Sequence, residues 1–194
     1  MLKKTISAVI KMAELTKETI VQDALDMGFS HAGLVDIGTL HPQTEVRDMC
    51  AANKCKEYDK NWSCPPGCGT VEECGAEIQT YDWGVLVQVT MDMEDEMDYE
   101  AWVDAAQNLR DLMVELHASL REKYDDVLAL GGAGCDICSK CTYPDEPCRF
   151  PKKRMSGMEG YGLVVADVCR DNGLLYYYGT DTITYTGMFL LKNE

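Results

Sequence analysis

Histidine and positive charge are both scarce in this 194-residue chain, which has three His and 18 Lys and Arg against 33 Asp and Glu. The resulting net charge of −15 repels phosphate backbones and anionic bilayers, which excludes nonspecific nucleic-acid binding and attachment to an acidic membrane surface. No apolar run approaches the ~18 residues of a membrane span. The five apolar or small residues Ile6–Ile10 that precede Lys11 fall short of the ~7 to 15 residues of a secretory leader core. The expected location is therefore a reducing cytoplasm. There are no repeats, linkers or low-complexity stretches, and no glycine-rich loop ends in Gly-Lys-Ser/Thr, so a phosphate-binding loop is excluded as well.

What the chain has in excess is cysteine, ten residues in all. A chain of this length buries a core without covalent staples, and in a reducing compartment clustered cysteines are metal ligands or redox thiols before they are disulfides. They fall into a first group (Cys50, Cys55, Cys64, Cys68, Cys74), a second group (Cys135, Cys138, Cys141, Cys148) and the isolated Cys169.

Periodicity predicts α/β architecture, a mixed β-sheet with packed helices and cysteine-rich metal-binding loops, in a single domain over residues 1–194. A helix opens at Thr16 as N-cap and stops at Gly28, and His31 to Ile37 reads as a buried strand. Gly38 to Gly69 has little periodicity and reads as a loop. Thr70-Val71-Glu72-Glu73 is a capping-box pattern opening a short helix to about Thr80. Trp83 to Met91 is apolar enough to be a strand buried on both faces. After the acidic turn Asp92 to Asp98, a long helix is predicted from Tyr99, Trp102, Val103, Ala106, Leu109, Met113, Leu116 and Leu120. Asp126 to Leu130 forms a third strand. Ser156 to Glu159 offers a second capping box, for a helix closing at Asn172-Gly173, and Leu174 to Leu191 reads as a hairpin or strand pair.

The strongest chemical signal is Cys135-x2-Cys138-x2-Cys141-x6-Cys148. Three cysteines at two-residue spacing with a more distant fourth curl around a cube of iron and sulfide, as in ferredoxins. A zinc site normally joins two separate C-x2-C knuckles, so the spacing favours a [4Fe-4S] cluster, with zinc as the alternative. The glycines at 131, 132 and 134 either let backbone N–H groups approach the sulfides or make a plain turn. In the first group Cys50, Cys55 and Cys64 form the core of a second metal site. Cys68 stands ahead of Cys74 as fourth ligand, because it precedes a helix N-terminus that favours a thiolate. His31, His41 and His117 lie far from this group, which excludes Cys2His2 zinc, Rieske and c-type haem readings. Cys169 reads as a small buried hydrophobe. Lys152-Lys153-Arg154 is the only basic cluster, and it either offsets the charge of a thiolate-bound cluster or forms a solvated turn.

Cys50-x4-Cys55, Asn61-Trp62-Ser63-Cys64-Pro65-Pro66, the run Ala129 to Cys141, Pro147-Cys148-Arg149-Phe150-Pro151 and Ser156-x-Met158-Glu159-x-Tyr161-Gly162 together resemble the family of predicted metal-binding proteins called domain of unknown function 2284. The resemblance covers roughly residues 14 to 191 and implies metal binding without naming a substrate.

These readings lead to an expected cytoplasmic redox protein with one or two [4Fe-4S] clusters. Its acidic surface would steer it onto a basic redox partner. The alternatives are a zinc-tied module that binds a partner, and an enzyme whose open iron site acts on a small-molecule substrate.

Overall fold

The computed structural model describes residues 15–95, 97–131 and 134–193. In chain order the elements are α1 (Ile20–Met27), β1 (His31–Val35), α2 (Thr44–Ala51), α3 (Val71–Ile78), β2 (Trp83–Asp92), α4 (Tyr99–Lys123), β3 (Val127–Gly131), β4 (Met155–Ser156), α5 (Val165–Asp171) and β5 (Thr182–Leu191). Single 3-10 turns cover Ile37–Thr39 and Glu159–Tyr161. The architecture is α/β around one five-stranded mixed sheet of order β1-β2-β5-β3-β4. Neighbours are antiparallel except for β3 and β4, which run parallel.

Strand alternation divides the apolar residues between two layers. Val85, Val87, Val89, Phe189, Leu191 and Ala129 face a core closed by α1 and α4. Leu86, Leu128, Leu130, Met188 and Leu190 face a second core with Ile78 of α3, Tyr161, Val168 and Cys169. Because both faces are covered, β2 is buried from Trp83 through Val89, as its continuous apolar run predicts. The close packing of β3 on β5 needs glycine: a Cβ on Gly131 (φ +149°) would come within 2.5 Å of the Gly187 Cα.

Several boundaries differ from the sequence expectation. Thr16 does not cap α1; its carbonyl and hydroxyl instead close a turn onto Thr19, and the helix starts at Ile20, ending at Gly28 as predicted. The first strand ends at Val35 and lies at the sheet edge, partly exposed, rather than buried. The 38–69 segment contains α2, a helix without apolar periodicity because only Val46 of its residues is buried. The long helix is found, but its buried stripe begins at Ala101 and Ala105, while Tyr99 and Val103 are exposed; alanine lets the helix approach the sheet. Ser156 is the end of β4 and no capping box forms there. Gly162 (φ +80°) interrupts the chain against Gln43, and the helix begins only at Val165. The C-terminal segment is one strand, β5, inserted between β2 and β3, and not a hairpin. Gly132 and Glu96 lie outside the described residues.

Candidate metal centre

Strands β3 and β4 run parallel and end side by side, at Gly131 and Ser156. The segments leaving their carboxyl ends carry Gly134-Cys135-Asp136 and Gly157 to Gly160, and these line one side of a cavity of about 620 Å³. The segment from α2 to Pro65 lines the other side, with Cys50, Cys55, Glu57, Tyr58 and Cys64. Arg110 reaches in from α4, where it pairs with Asp136 and donates to the Gly134 carbonyl at 3.4 Å. An opening at the carboxyl ends of adjacent parallel strands is where α/β sheets commonly place ligands. The second cysteine group surrounds a much smaller cavity of about 20 Å³, lined by Cys135, Cys138, Cys141 and Cys148 with Trp62, Ile137, Phe150, Arg149 and Arg154. Cys135 lines both, so the two cysteine groups, separated by more than sixty residues, meet at this residue.

Little of this region is regular structure, and it is held by polar contacts. Glu57 accepts from Asn61 Nδ2 (2.9 Å), Asn61 Oδ1 accepts from Ser63 Oγ (2.7 Å), and Ser63 Oγ accepts from the Cys135 N–H (3.1 Å). Asn61 and Ser63 are both buried, so this relay ties the first cysteine segment to the second where water cannot compete. Trp62 adds a hydrogen bond to the Glu146 carbonyl (3.0 Å) and an edge contact with Tyr143, whose hydroxyl donates to Asp59 (2.6 Å). Asn53, Lys56 and Asp59 take left-handed backbone angles. Asn and Asp tolerate that region well; Lys56 is held there by its surroundings.

Burial pushes the Cys50, Cys64 and Cys135 thiols up, disfavouring their thiolates. Glu159 adds to this at Cys50, while the Asn61 and Ser63 side chains oppose it at Cys64. At Cys135 the backbone N–H groups of Ile137 and Met155 oppose it. Backbone N–H groups aimed at a cysteine sulfur are the contacts that tune a metal-bound thiolate.

The structure brings Cys50, Cys55 and Cys64 to the larger cavity and Cys135, Cys138, Cys141 and Cys148 to the smaller one. It places Cys68 elsewhere: its sulfur lies 3.4 Å from the Gly160 carbonyl and 3.8 Å from Arg47 Nη1, and the same nitrogen is 3.8 Å from the Cys74 sulfur. The thiol of Cys68 hydrogen-bonds to Cys74; this contact and then the Arg47 charge hold the Cys74 thiol below its ordinary value, and the Cys68 thiol is pushed up. Cys169 is buried beside Gln88, remote from both cavities. Of the basic cluster, Arg154 lines the cavity of the second cysteine group and also a separate polar cavity, where Lys152 joins it with Glu77 and Asp126. Sequence reading missed Glu57, Tyr58, Arg110 and Asp136, and took Glu159 for part of a capping box rather than of the cavity wall. Arg110 lies within an amphipathic helix whose pattern explains it as a polar-face residue, and nothing local marks the others.

The donor set is made of soft thiols, which select zinc, copper(I) or iron–sulfur centres over hard cations. Among the described residues no three His, Cys, Asp or Glu side chains converge so as to hold a single metal ion. Seven of the thiols are spread around the two cavities. No curated protein and no solved structure matches the chain. A family model described as predicted metal-binding protein (DUF2284) matches residues 33–191, which include α2, all ten cysteines and both cavities. The chain therefore belongs to the DUF2284 family of predicted metal-binding proteins.

Proposed function

We propose that the protein is an iron–sulfur redox protein of a reducing, cytoplasmic compartment. Cys135, Cys138, Cys141 and Cys148 would hold a [4Fe-4S] cluster, and Cys50, Cys55 and Cys64 a second centre in the larger cavity. The observation that carries this reading is the position of Cys135 on the boundary of both cavities, which makes the two groups one thiol-lined region. The C-x2-C-x2-C spacing supports iron–sulfur over zinc. When bound, such a cluster supplies one-electron oxidation and reduction.

The chain's own residues do the rest. Ile137, Phe150 and Trp62 line the second cysteine group, and Arg149 and Arg154 place positive charge beside it. The N–H groups of Ile137 and Met155 favour a charged Cys135 sulfur. The gap of about 20 Å³ is smaller than a cluster, so the 136–150 loop must open around one. It consists of turns and bends with no helix or strand to prevent that. The acidic exterior, from a net charge of −15, suits docking to a basic redox partner.

A second reading is favoured by the larger cavity. Cys50, Cys55 and Cys64 line it together with the shared Cys135, Glu57, Tyr58 and Arg110, and its volume of about 620 Å³ falls in the range of small-molecule sites; with Cys135 committed to the second group, three thiols remain for a centre here. A three-thiolate centre there would leave one coordination position for a substrate.

The test is iron, sulfide and zinc content with a visible spectrum on protein purified without oxygen. About four or eight irons with matching sulfide are expected. One or two zincs without sulfide would replace the redox reading with a structural metal module.

A further inference from the structure

Cys68 and Cys74 form a paired-thiol site beside the larger cavity. Neither lines the two cysteine-ringed cavities. Cys68 lies just before the capping residue Thr70, and Cys74 sits one turn into α3, so the helix start folds them together. The Cys74 thiol donates to the Cys68 carbonyl at 3.5 Å, the Cys68 thiol hydrogen-bonds Cys74, and both sulfurs stand 3.8 Å from the same Arg47 nitrogen. Arg47 is itself fixed, donating to the Gly160 carbonyl at 2.7 Å and the Gly69 carbonyl at 2.6 Å. A guanidinium beside two adjoining thiols stabilises a thiolate on either, and the thiolate is the nucleophile of disulfide exchange. The contrast is Cys169, equally buried, which has Gln88 for a neighbour and no second thiol.

We propose that Cys68 and Cys74 are a reversible two-electron dithiol–disulfide couple, set into the wall behind the larger cavity and exchanging with small-molecule or protein disulfides. Cys68 is partly exposed and Cys74 is 1% exposed, which assigns their order of reaction. Cys68, the accessible member, passes its proton to the Cys74 sulfur it hydrogen-bonds as its own sulfur attacks one sulfur of an external disulfide; that S–S bond breaks, and one thiolate leaves with Cys68 in a mixed disulfide. Cys74, again a thiolate once that proton has passed to the departing group, then attacks the Cys68 sulfur and expels the second thiolate. The external disulfide gains two electrons, the couple loses two, and the two thiol protons pass to the departing thiolates. Oxidation also removes the Cys68 S–H from the Gly160 carbonyl, and Gly160 lines the larger cavity. Arg47 lies on α2, one turn before Cys50.

The experiment equilibrates the purified, metal-loaded protein without oxygen in a series of reduced and oxidised glutathione mixtures. Each is quenched in acid, alkylated after unfolding, and mapped for disulfide-linked peptides by mass spectrometry. A Cys68–Cys74 linkage is expected to appear before any other cysteine pair, along the slope of a two-electron couple, and to reverse on return to reduced glutathione. C68S and C74S should each abolish it while keeping the metal content of the wild type. Free thiols at both positions in the most oxidising mixture, or pairing of either with a cysteine of the two cavities, would overturn the proposal. So would a loss of metal in C68S or C74S equal to that of Cys64→Ser, which would make the pair ligands. None of these outcomes depends on whether the bound metal is iron or zinc.

Discussion

The two halves of this molecule are ordered by different forces. In the sheet and its helices, Leu109, Leu116, Leu120, Val85, Val87 and Phe189 are fully buried, and removing their apolar surface from water is the main stabilising contribution. In the cysteine segments, residues 52–69 and 134–154 contain no helix or strand, and a Glu57–Asn61–Ser63–Cys135 relay, buried at Asn61 and Ser63, takes the place of packing. Hydrogen bonds exchanged for those of water contribute only about 0.5–1.5 kcal/mol each. The seven thiols at the two cavities are the donors through which a bound metal would add to this ordering.

Metal removal should break this comparison most severely. In Cys138→Ser, or in wild type treated with a strong chelator, amide exchange in residues 134–154 should accelerate by at least ~100-fold, while β2, β5 and α4 keep their protection. Unchanged exchange in the loop would show that the polar relay suffices alone. The converse damage comes from Leu116→Ala in α4, where a cavity beneath the sheet should cost about 2–5 kcal/mol in urea unfolding with metal content unchanged. A cost under about 1 kcal/mol would mean that this core repacks freely.

His117 sharpens the contrast because it is a polar group inside the apolar half. It is 5% exposed, and Nε2 has no hydrogen-bond partner among the described residues. Burial, with a smaller contribution from the Arg121 charge, pushes its pKa down to about 4 from an ordinary value of 6.5. Between those values the unfolded chain binds the proton and the folded one does not, so stability present above pH 6.5 is lost as the pH falls toward 4. Up to about 3 kcal/mol should disappear over that window, and His117→Leu should flatten the profile. An unchanged profile in that variant would place the pH dependence elsewhere. The smallest effect is expected at α3, where Thr70 and Glu73 cap the helix reciprocally. Thr70→Ala should cost about 1 kcal/mol and leave the metal centres intact, and loss of metal from that variant would tie the two halves together more closely than their contacts imply.

The elements readable from sequence are those with a strong local cause. The β2 run is apolar throughout because both faces are covered, the α3 capping box is satisfied within four residues, and the left-handed Gly28 ends α1 as its position suggests. The misread elements depend on distant contacts. α2 buries only Val46 and carries no periodic signal. Ser156 has the capping pattern, yet β3 takes it as a strand partner, and Gly162 is committed to its close approach at Gln43. Leu174 to Leu191 contains enough apolar residues for two strands, but β5 alone fills the slot between β2 and β3.

The same division runs through the site. Sequence by itself determined the chemistry: ten thiols, three histidines remote from them, and a C-x2-C-x2-C run at fixed spacing limit the donors to soft ligands, because ligand type and local spacing are covalent properties of the chain. Tertiary structure alone decided which thiols share a neighbourhood. The parallel ends of β3 and β4 bring Cys135 to Cys64 across seventy-one positions, and the first turn of α3 folds Cys68 onto Cys74 and Arg47 instead of into the cavity. Such proximity follows from strand pairing and helix packing between residues far apart in the chain, which no local pattern encodes.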